Sequence, residues 1–403
     1  MREITRCEVC GSGNLPEVLN LGRHPLPDDL VPIGVERECK TYPIEVLFCD
    51  TCKTAHQRFQ VEKHLLFSPT YHYRARQTQD VLDGMVQFVN SCEKQGPLAG
   101  LKVLDVGCND GSLLNVFRER GAKTFGIEPT DAVDDAADAG HTVTRAFLDY
   151  ASAHEFVSEH GHPDIITFTN VFAHIEHLRK LLDCLFILKK PSTMIVIENH
   201  YLGAVLDRHQ FDTFYHEHPR TYSFTSFVKI ASDLAMHIAH ADFPARYGGN
   251  IRVFLKPGAH SVGTRPYIPN EMGFGSRLQD LGEQVIWWRE KKRHELLHEF
   301  KMHGKLSLAA FPGRAAIALR LLNLDERHVW AIYEKPGSKK IGCYAPGTSI
   351  PIISDELYPM NDCRLDTPLV NMAWHIPAEV EKRWRGKGFT GRIIQSVGPD
   401  DFK

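Results

Sequence analysis

Apolar positions along the chain follow two rhythms. Short runs that are apolar on successive residues recur at Leu101–Val106, Lys123–Glu128, Asp164–Thr169 and Thr193–Glu198. Runs of that length, apolar on both faces, predict parallel strands buried between helices. A shorter run at His141–Thr144 and two later ones at Ala235–Ala239 and Ile251–Leu255 extend the set. Between them the apolar spacing lengthens to that of a helix, as at Leu113, Leu114 and Phe117. Strand and helix patterns in alternation predict an α/β sheet of the doubly wound kind. A long helical pattern, Met272 to His303, follows, with Leu278, Leu281, Val285, Ile286, Leu296, Leu297 and Phe300 apolar and Trp287 and Trp288 expected to pack on a neighbour. A second α/β series comes after it. Strands are expected at Leu306–Ala310, Val329–Tyr333, Pro368–Ala373 and Arg392–Ser396, and helices at Ala315–Leu324 and Ala378–Arg385.

A chain of 403 residues is too long for one core, so two or three domains are expected. A formal charge of −3 offers no basic footprint for nucleic acid. No apolar stretch reaches membrane-span length, and the first residues lack the apolar core of a signal peptide. The cytoplasm is the expected compartment. A monomer is compatible with every feature read.

The first strand pattern ends on Asp105-Val106-Gly107-Cys108-Asn109-Asp110-Gly111 before the helical pattern resumes. Strand, glycine turn and helix together let backbone N–H groups approach a ligand that a Cβ would block. The second strand ends in Glu128, 21 residues after Gly107, about where a carboxylate grips ribose hydroxyls in dinucleotide-type sites. The turn is G-x-x-x-G rather than G-x-G-x-x-G. It resembles motif I of the S-adenosylmethionine (SAM) methyltransferases, and Glu128, with Pro129 after it, resembles their second-strand acid. Ligands in such sheets sit at the carboxyl ends of strands. That rule selects Gly107, Glu128, Asn170 and Glu198–His200, and it offers Phe147 and Leu148 either as walls for an adenine or as plain core.

Cys7 and Cys10 form one C-x-x-C knuckle and Cys49 and Cys52 another. Two such pairs offer zinc four soft ligands in a tetrahedron, and four thiolates close the coordination sphere, so structural zinc is expected rather than catalytic zinc. Redox-active or chance cysteines are the alternative. Cys39 is read as a bystander. Acidic flanks at Glu17, Asp28, Asp29, Glu36, Glu38 and Glu45 speak against a nucleic-acid ribbon.

Three polar stretches carry candidate chemistry. Ser68–Thr78 interleaves Tyr71, Tyr73, Arg74 and Arg76, as a lid over a pocket would or as a solvated helix start would. His174 follows the fourth strand by about one turn, at the mouth of a site or as a structural histidine. The densest cluster is Phe214-Tyr215-His216-Glu217-His218-Pro219-Arg220-Thr221-Tyr222-Ser223. It contains a base near neutral pH, a carboxylate to orient an imidazole and a phenol for an oxyanion. Methylation at oxygen or nitrogen needs little of this; methylation at carbon needs a carbanion, and the cluster suits that task. A His- and Glu-rich surface loop is the bland alternative.

These residues together resemble the sugar C-methyltransferases that act on nucleotide-linked 4-keto-deoxysugars, the sugar 3-C-methyltransferase group. The paired knuckles, Leu21-Gly22 with Pro25-Leu26, Tyr71-His72-Tyr73, the SAM turn, Asn170 with His174-Ile175, and Tyr215-x-Glu217-His218 with Tyr222-Ser223 carry the resemblance. So do Gly248-Gly249-Asn250-Ile251-Arg252, Pro346-Gly347-Thr348-x-Ile350-Pro351-Ile352 and Ala373-Trp374-His375. It implies a zinc-binding domain over 1–64, a Rossmann-like SAM methyltransferase domain over 65–258 and a Rossmann-like α/β domain over 259–403 that holds the nucleotide-sugar. It implies SAM held by Asp105, Gly107, Asn109, Asp110, Gly111 and Glu128. His218 would be the base, supported by Glu217, with Tyr215 and His174 lining the reacting centre and Tyr73 closing over it. The partner would be a dTDP- or GDP-linked keto-sugar. One departure stands out. The group often carries G-x-G-x-x-x-K at the start of the last domain, and here Ala309–Ala316 lacks its first glycine and its lysine. A SAM-dependent O- or N-methyltransferase is the other reading.

Overall fold

The computed structural model describes residues 1–67, 73–258, 269–358 and 367–402. The residues Ser68–His72, with Tyr71 and His72 of the expected lid, lie outside the described residues. Contacts divide the chain into two compact units. The first comprises Met1–Pro16, Leu47–Val205 and Glu217–Gly275, and the second Glu17–Val46, Leu206–His216 and Ser276–Lys403.

The first unit begins with the cysteine knuckles and strand β1 (Thr54–Gln57), followed by helix α1 (Gln79–Glu93). Its main sheet is built from β2 (Lys102–Val106), β3 (Lys123–Ile127), β4 (Thr142–Thr144), β5 (Ile165–Thr169) and β6 (Met194–His200). A two-residue strand β7 (Arg220–Thr221) comes next, then β8 (Met236–Asp242) and β9 (Asn250–Pro257). The main sheet has seven strands in the order β8-β9-β6-β5-β2-β3-β4. β2 to β6 are parallel, and β9 runs antiparallel to both β6 and β8. The predicted strands are all present with ends moved by a few residues. The antiparallel entry of β9 was not predicted, because apolar runs carry no direction.

Helices α2 (Ser112–Glu119), α3 (Ala132–Asp138), α4 (Tyr150–His160), α5 (Leu178–Leu188) and α6 (Phe224–Asp233) lie between these strands in the chain. Their apolar stripes bury against the sheet: Leu113, Leu114 and Phe117 of α2 are at most 1% exposed. α4 and α6 each start in a capping box, Asp149 with Ser152 and Ser223 with Ser226.

The second unit holds most of α7 (Phe274–His303), then β10 (Leu306–Ala309), α8 (Ala315–Leu321), β11 (Val329–Glu334), β12 (Ile352–Ser354), β13 (Leu369–Asn371), α9 (Pro377–Gly386) and β14 (Ile393–Gln395). The five strands are all parallel in the order β12-β11-β10-β13-β14. Both tryptophans of α7 were expected to pack, and only one does. Trp288 is fully buried, its ring 4.6 Å from Phe211 and its Nε1 donating to the Ser396 carbonyl at 3.2 Å. Trp287 is 49% exposed, since neighbours one residue apart on a helix point about 100° away from each other.

Several histidines are buried neutral. His24 and His216 in the second unit and His141 in the first are held down to about 4, chiefly by burial. Each protonates near 6.5 in an unfolded chain. Between pH 6.5 and 4 the unfolded chain therefore binds more protons than the folded one, and stability falls as pH falls through that window. Thermal melts are expected to show a steady drop in Tm from pH 7 to pH 4.5; a level Tm down to pH 5 would contradict these buried neutral rings.

Candidate active site and zinc centre

Cys7, Cys10, Cys49 and Cys52 converge in the first unit with all four Sγ atoms within 4.8 Å of one another. The Cys7–Cys52 and Cys10–Cys49 sulfurs are 3.4 Å apart. A zinc ion with bonds of about 2.3 Å to four thiolates would need sulfurs about 3.8 Å apart, so a small expansion admits the ion. Two side chains support the sulfurs from behind: Thr54 Oγ1 lies 3.1 Å from Cys52 Sγ and His56 Nε2 lies 3.3 Å from Cys7 Sγ. The donor set fits structural zinc.

The glycine turn follows β2. Gly107 has φ 72° and Gly111 φ 75°, the left-handed region that glycine enters without strain. A Cβ on Gly107 would lie 2.7 Å from the Val171 methyls, and one on Gly111 3.0 Å from the Ala136 Cβ. Asp105, buried in β2, accepts from Thr167 Oγ1 at 2.7 Å, and burial pushes its carboxyl up to about 7, with Glu128 adding to the rise. At the end of β3, Glu128 accepts from the Asn109 N–H at 3.0 Å and from the Thr130 N–H and hydroxyl at 2.9 and 2.6 Å. The acid thus braces the turn it stands beside.

The turn in turn holds the segment that precedes α1. Asn109 Oδ1 accepts from the Ala75 N–H at 3.0 Å, its Nδ2 donates to the Tyr73 carbonyl at 3.1 Å, and Asp110 Oδ2 accepts from the Arg76 N–H at 2.9 Å. Arg74 and Arg76 both reach Asp135 of α3, at 2.7 and 3.0 Å. Tyr73 is 42% exposed, and its phenol is held above the usual range by burial of the hydroxyl and by the Tyr247 phenol beside it.

At the carboxyl ends of β5 and β6 three imidazoles meet. The His218 ring lies 4.8 Å from His174, nearly perpendicular, and 5.2 Å from His200. Glu217 Oε2 is 3.9 Å from His174 Nδ1, and Phe67 packs on His174 at 5.4 Å. Glu217 and His218 are each 4% exposed. Burial, with the neighbouring His218 charge, holds His174 well below its ordinary range, so it is neutral at pH 7. A neutral imidazole beside a second imidazole and a carboxylate can donate a hydrogen bond while its neighbour takes a proton.

Residues 72–243 match the family described as "Methyltransferase domain", and residues 7–67 the one described as "Putative zinc binding domain". The chain is 27% identical over 369 residues to the C-methyltransferase NovU of Streptomyces niveus, covering 88% of this chain and 87% of that protein. A shorter similarity, 26% over 140 residues, links it to the mitochondrial ubiquinone biosynthesis O-methyltransferase of Bos taurus, covering 33% of this chain and 37% of that protein. The chain is a SAM-dependent methyltransferase with an amino-terminal zinc-binding domain. Among solved structures, the SAM-bound magnesium protoporphyrin IX methyltransferase ChlM of Synechocystis PCC 6803 aligns at TM-score 0.35 and 17% identity, over 44% of this chain and 80% of that one.

Within the methyltransferase, the first unit gathers the glycine turn Gly107–Gly111, Glu128, Asn170, His174, Glu217 and His218. Asn170 sits at φ 55° just past β5 and its Oδ1 accepts from Asn250 Nδ2 at 3.1 Å. Pro129 follows Glu128, and Phe147 and Leu148 are half-buried past β4, with Lys63 Nζ 4.1 Å from the Phe147 ring. Tyr215 belongs to the second unit, where its ring would lie 3.6 Å from a Cβ on Gly313. Glu198, expected to line the pocket, is instead fully buried and paired with Arg252 at 2.6 Å. Arg314, in the stretch that departs from the glycine-and-lysine pattern, is buried against Asp212 at 2.7 Å. Sequence reasoning missed Tyr247, whose ring is 6.1 Å from His200 and whose φ of 54° is rare for a large side chain. The adjacent Gly248–Gly249 pair was its only signal.

Two outcomes follow from this geometry. Gly107→Ala forces a Cβ against Val171 in a left-handed backbone, and calorimetry is expected to show SAM affinity reduced by at least about tenfold. Structural zinc contributes about 10 kcal/mol or more, comparable with a domain's whole stability. Metal analysis is therefore expected to find zinc bound to the native chain and lost from Cys49→Ala, with protease cleavage appearing inside residues 1–64.

Proposed function

We propose that this methyltransferase transfers the SAM methyl to carbon, on a dTDP- or GDP-linked 4-keto-deoxysugar, at the position next to the ketone and most simply C-3. The observation that carries the reading is the buried His174–His218–Glu217 cluster in the unit that holds the SAM turn. Oxygen and nitrogen nucleophiles bring their own lone pair. A carbon nucleophile must first lose a proton, and a buried imidazole beside a carboxylate is the equipment for that step. Similarity to a C-methyltransferase along nearly the whole chain supports it.

His218 removes the proton alpha to the ketone, and the electron pair moves into an enolate. Glu217 steadies the imidazolium. His174, held neutral, donates to the enolate oxygen, with Tyr73 as a further donor; the raised phenol of Tyr73 keeps its proton for that purpose. The enolate carbon then attacks the methyl, a C–C bond forms as the C–S bond breaks, and neutral S-adenosylhomocysteine leaves. The proton on His218 passes to solvent. Asp105, Gly107, Asn109, Asp110, Gly111 and Asn170 would hold SAM, with Glu128 and Pro129 at its ribose and Phe147 and Leu148 as walls for its adenine.

The test is exchange. In D2O, with S-adenosylhomocysteine in place of SAM, the enzyme is expected to wash deuterium into the carbon next to the ketone of a dTDP- or GDP-4-keto-6-deoxysugar. With labelled SAM the methyl should appear on that carbon by NMR. His218→Ala is expected to lose about two to four orders of magnitude in turnover while binding SAM normally. Methylation with no exchange, or with the label on oxygen or nitrogen, would overturn the reading.

A further inference from the structure

We propose that Arg220 is a positioning residue that couples the zinc knuckle to the base cluster, so that the metal site serves the geometry of His174 and His218 as well as stability. The inference rests on the reading of His218 as the base, and its first test does not.

Arg220 has no exposed surface, and its guanidinium is shared among three separate parts of the first unit. Nη1 pairs with Glu8 Oε2, a residue that sits between Cys7 and Cys10. Nη2 donates to the carbonyl of Ile175, the residue after His174. Nε donates to the Tyr222 hydroxyl at 2.8 Å, and the Tyr222 carbonyl accepts from the Leu202 N–H at 2.9 Å, just past His200. One planar cation therefore touches the cysteine knuckle and the segment after His174, and it reaches the residues past His200 through Tyr222.

The backbone repeats the connection. β7 pairs antiparallel with β1, Arg220 opposite His56 and Thr221 opposite Ala55, and the Gln57 N–H donates to the Pro219 carbonyl at 2.9 Å. His56 is the ring that contacts Cys7 Sγ. His218 thus stands two residues before a strand whose partner strand is anchored on the sulfurs. Glu8 is itself fixed by Arg2 at 2.7 Å and Gln60 at 2.9 Å, so the anchor is stiff. A single buried guanidinium presents five donors in a rigid fork, and lysine cannot replace that geometry while keeping the charge.

The experiment uses the full-length, zinc-loaded protein with ring-labelled histidine, comparing wild type with Arg220→Lys and Glu8→Gln. Signals of His174 and His218 are assigned by substitution, and those of His141 and His160 serve as internal controls. Zinc content and SAM affinity are expected to match wild type, the His174 and His218 signals to move, and the controls to stay. On a 4-keto-sugar that the wild type methylates, kcat should fall about tenfold to a hundredfold with KM for SAM unchanged. If no ring signal moves in either variant, the coupling does not exist. If zinc is lost or all four signals move in both, Arg220 serves the fold alone and the proposal fails. The ring signals decide this even if no keto-sugar is ever methylated, which would instead defeat the function reading.

Discussion

A buried cation is tolerated only when every donor finds an acceptor, and that requirement organises the first unit of this protein. Arg220 and Glu8 form an ion pair removed from water, where desolvation is expensive and an unpaired partner would be more so. Burial opposes the charge on Glu8, yet Arg220 and its other partners hold the carboxyl well below the usual range. Such a pair adds little net stability against a well-packed apolar alternative, but it accepts only one arrangement of its surroundings. The knuckle, the carbonyl after His174 and the Tyr222 hydroxyl must all arrive together.

The same logic recurs beneath the sheet. Glu198 of β6 is fully buried and held by Arg252 at 2.6 Å, by Asn250 Nδ2 at 3.0 Å and by Arg246 at 3.5 Å. Arg246 lies against α1, where Gly84 replaces any larger residue: a Cβ there would fall 2.1 Å from the guanidinium carbon. Asn250 also donates to Asn170, so this ion network reaches the carboxyl end of β5, beside the histidine cluster. Charge satisfied internally thus sets the backbone around the histidine cluster, whose titrating groups are few and close.

The glycine turn is braced from the opposite side. Its Asn109 and Asp110 side chains bond backbone groups of residues 73–76, and Glu128 bonds the turn itself. Tyr73 is therefore placed by the same residues that shape the glycine turn. Local polar side chains that bond backbone in this way hold a loop without a hydrophobic core beneath it.

The linear order of residues determined much of this. Buried strands announced themselves as apolar runs because a parallel strand covered on both faces has no polar side to show. The two C-x-x-C knuckles and the turn at Gly107–Gly111 were legible because metal ligation and close backbone approach demand particular residue types at particular spacings. The Tyr215–Ser223 cluster stood out because so many titratable groups in a row make little sense as packing. Tertiary structure decided the rest. Strand direction at β9, the burial of Trp288 but not Trp287, the commitment of Glu198 and Arg314 to ion pairs and the bridge from Glu8 through Arg220 to Ile175 all join residues far apart in the chain. No local pattern encodes a partner that lies up to 212 positions away, because a charged side chain looks the same in sequence whether it faces water or a buried counter-ion.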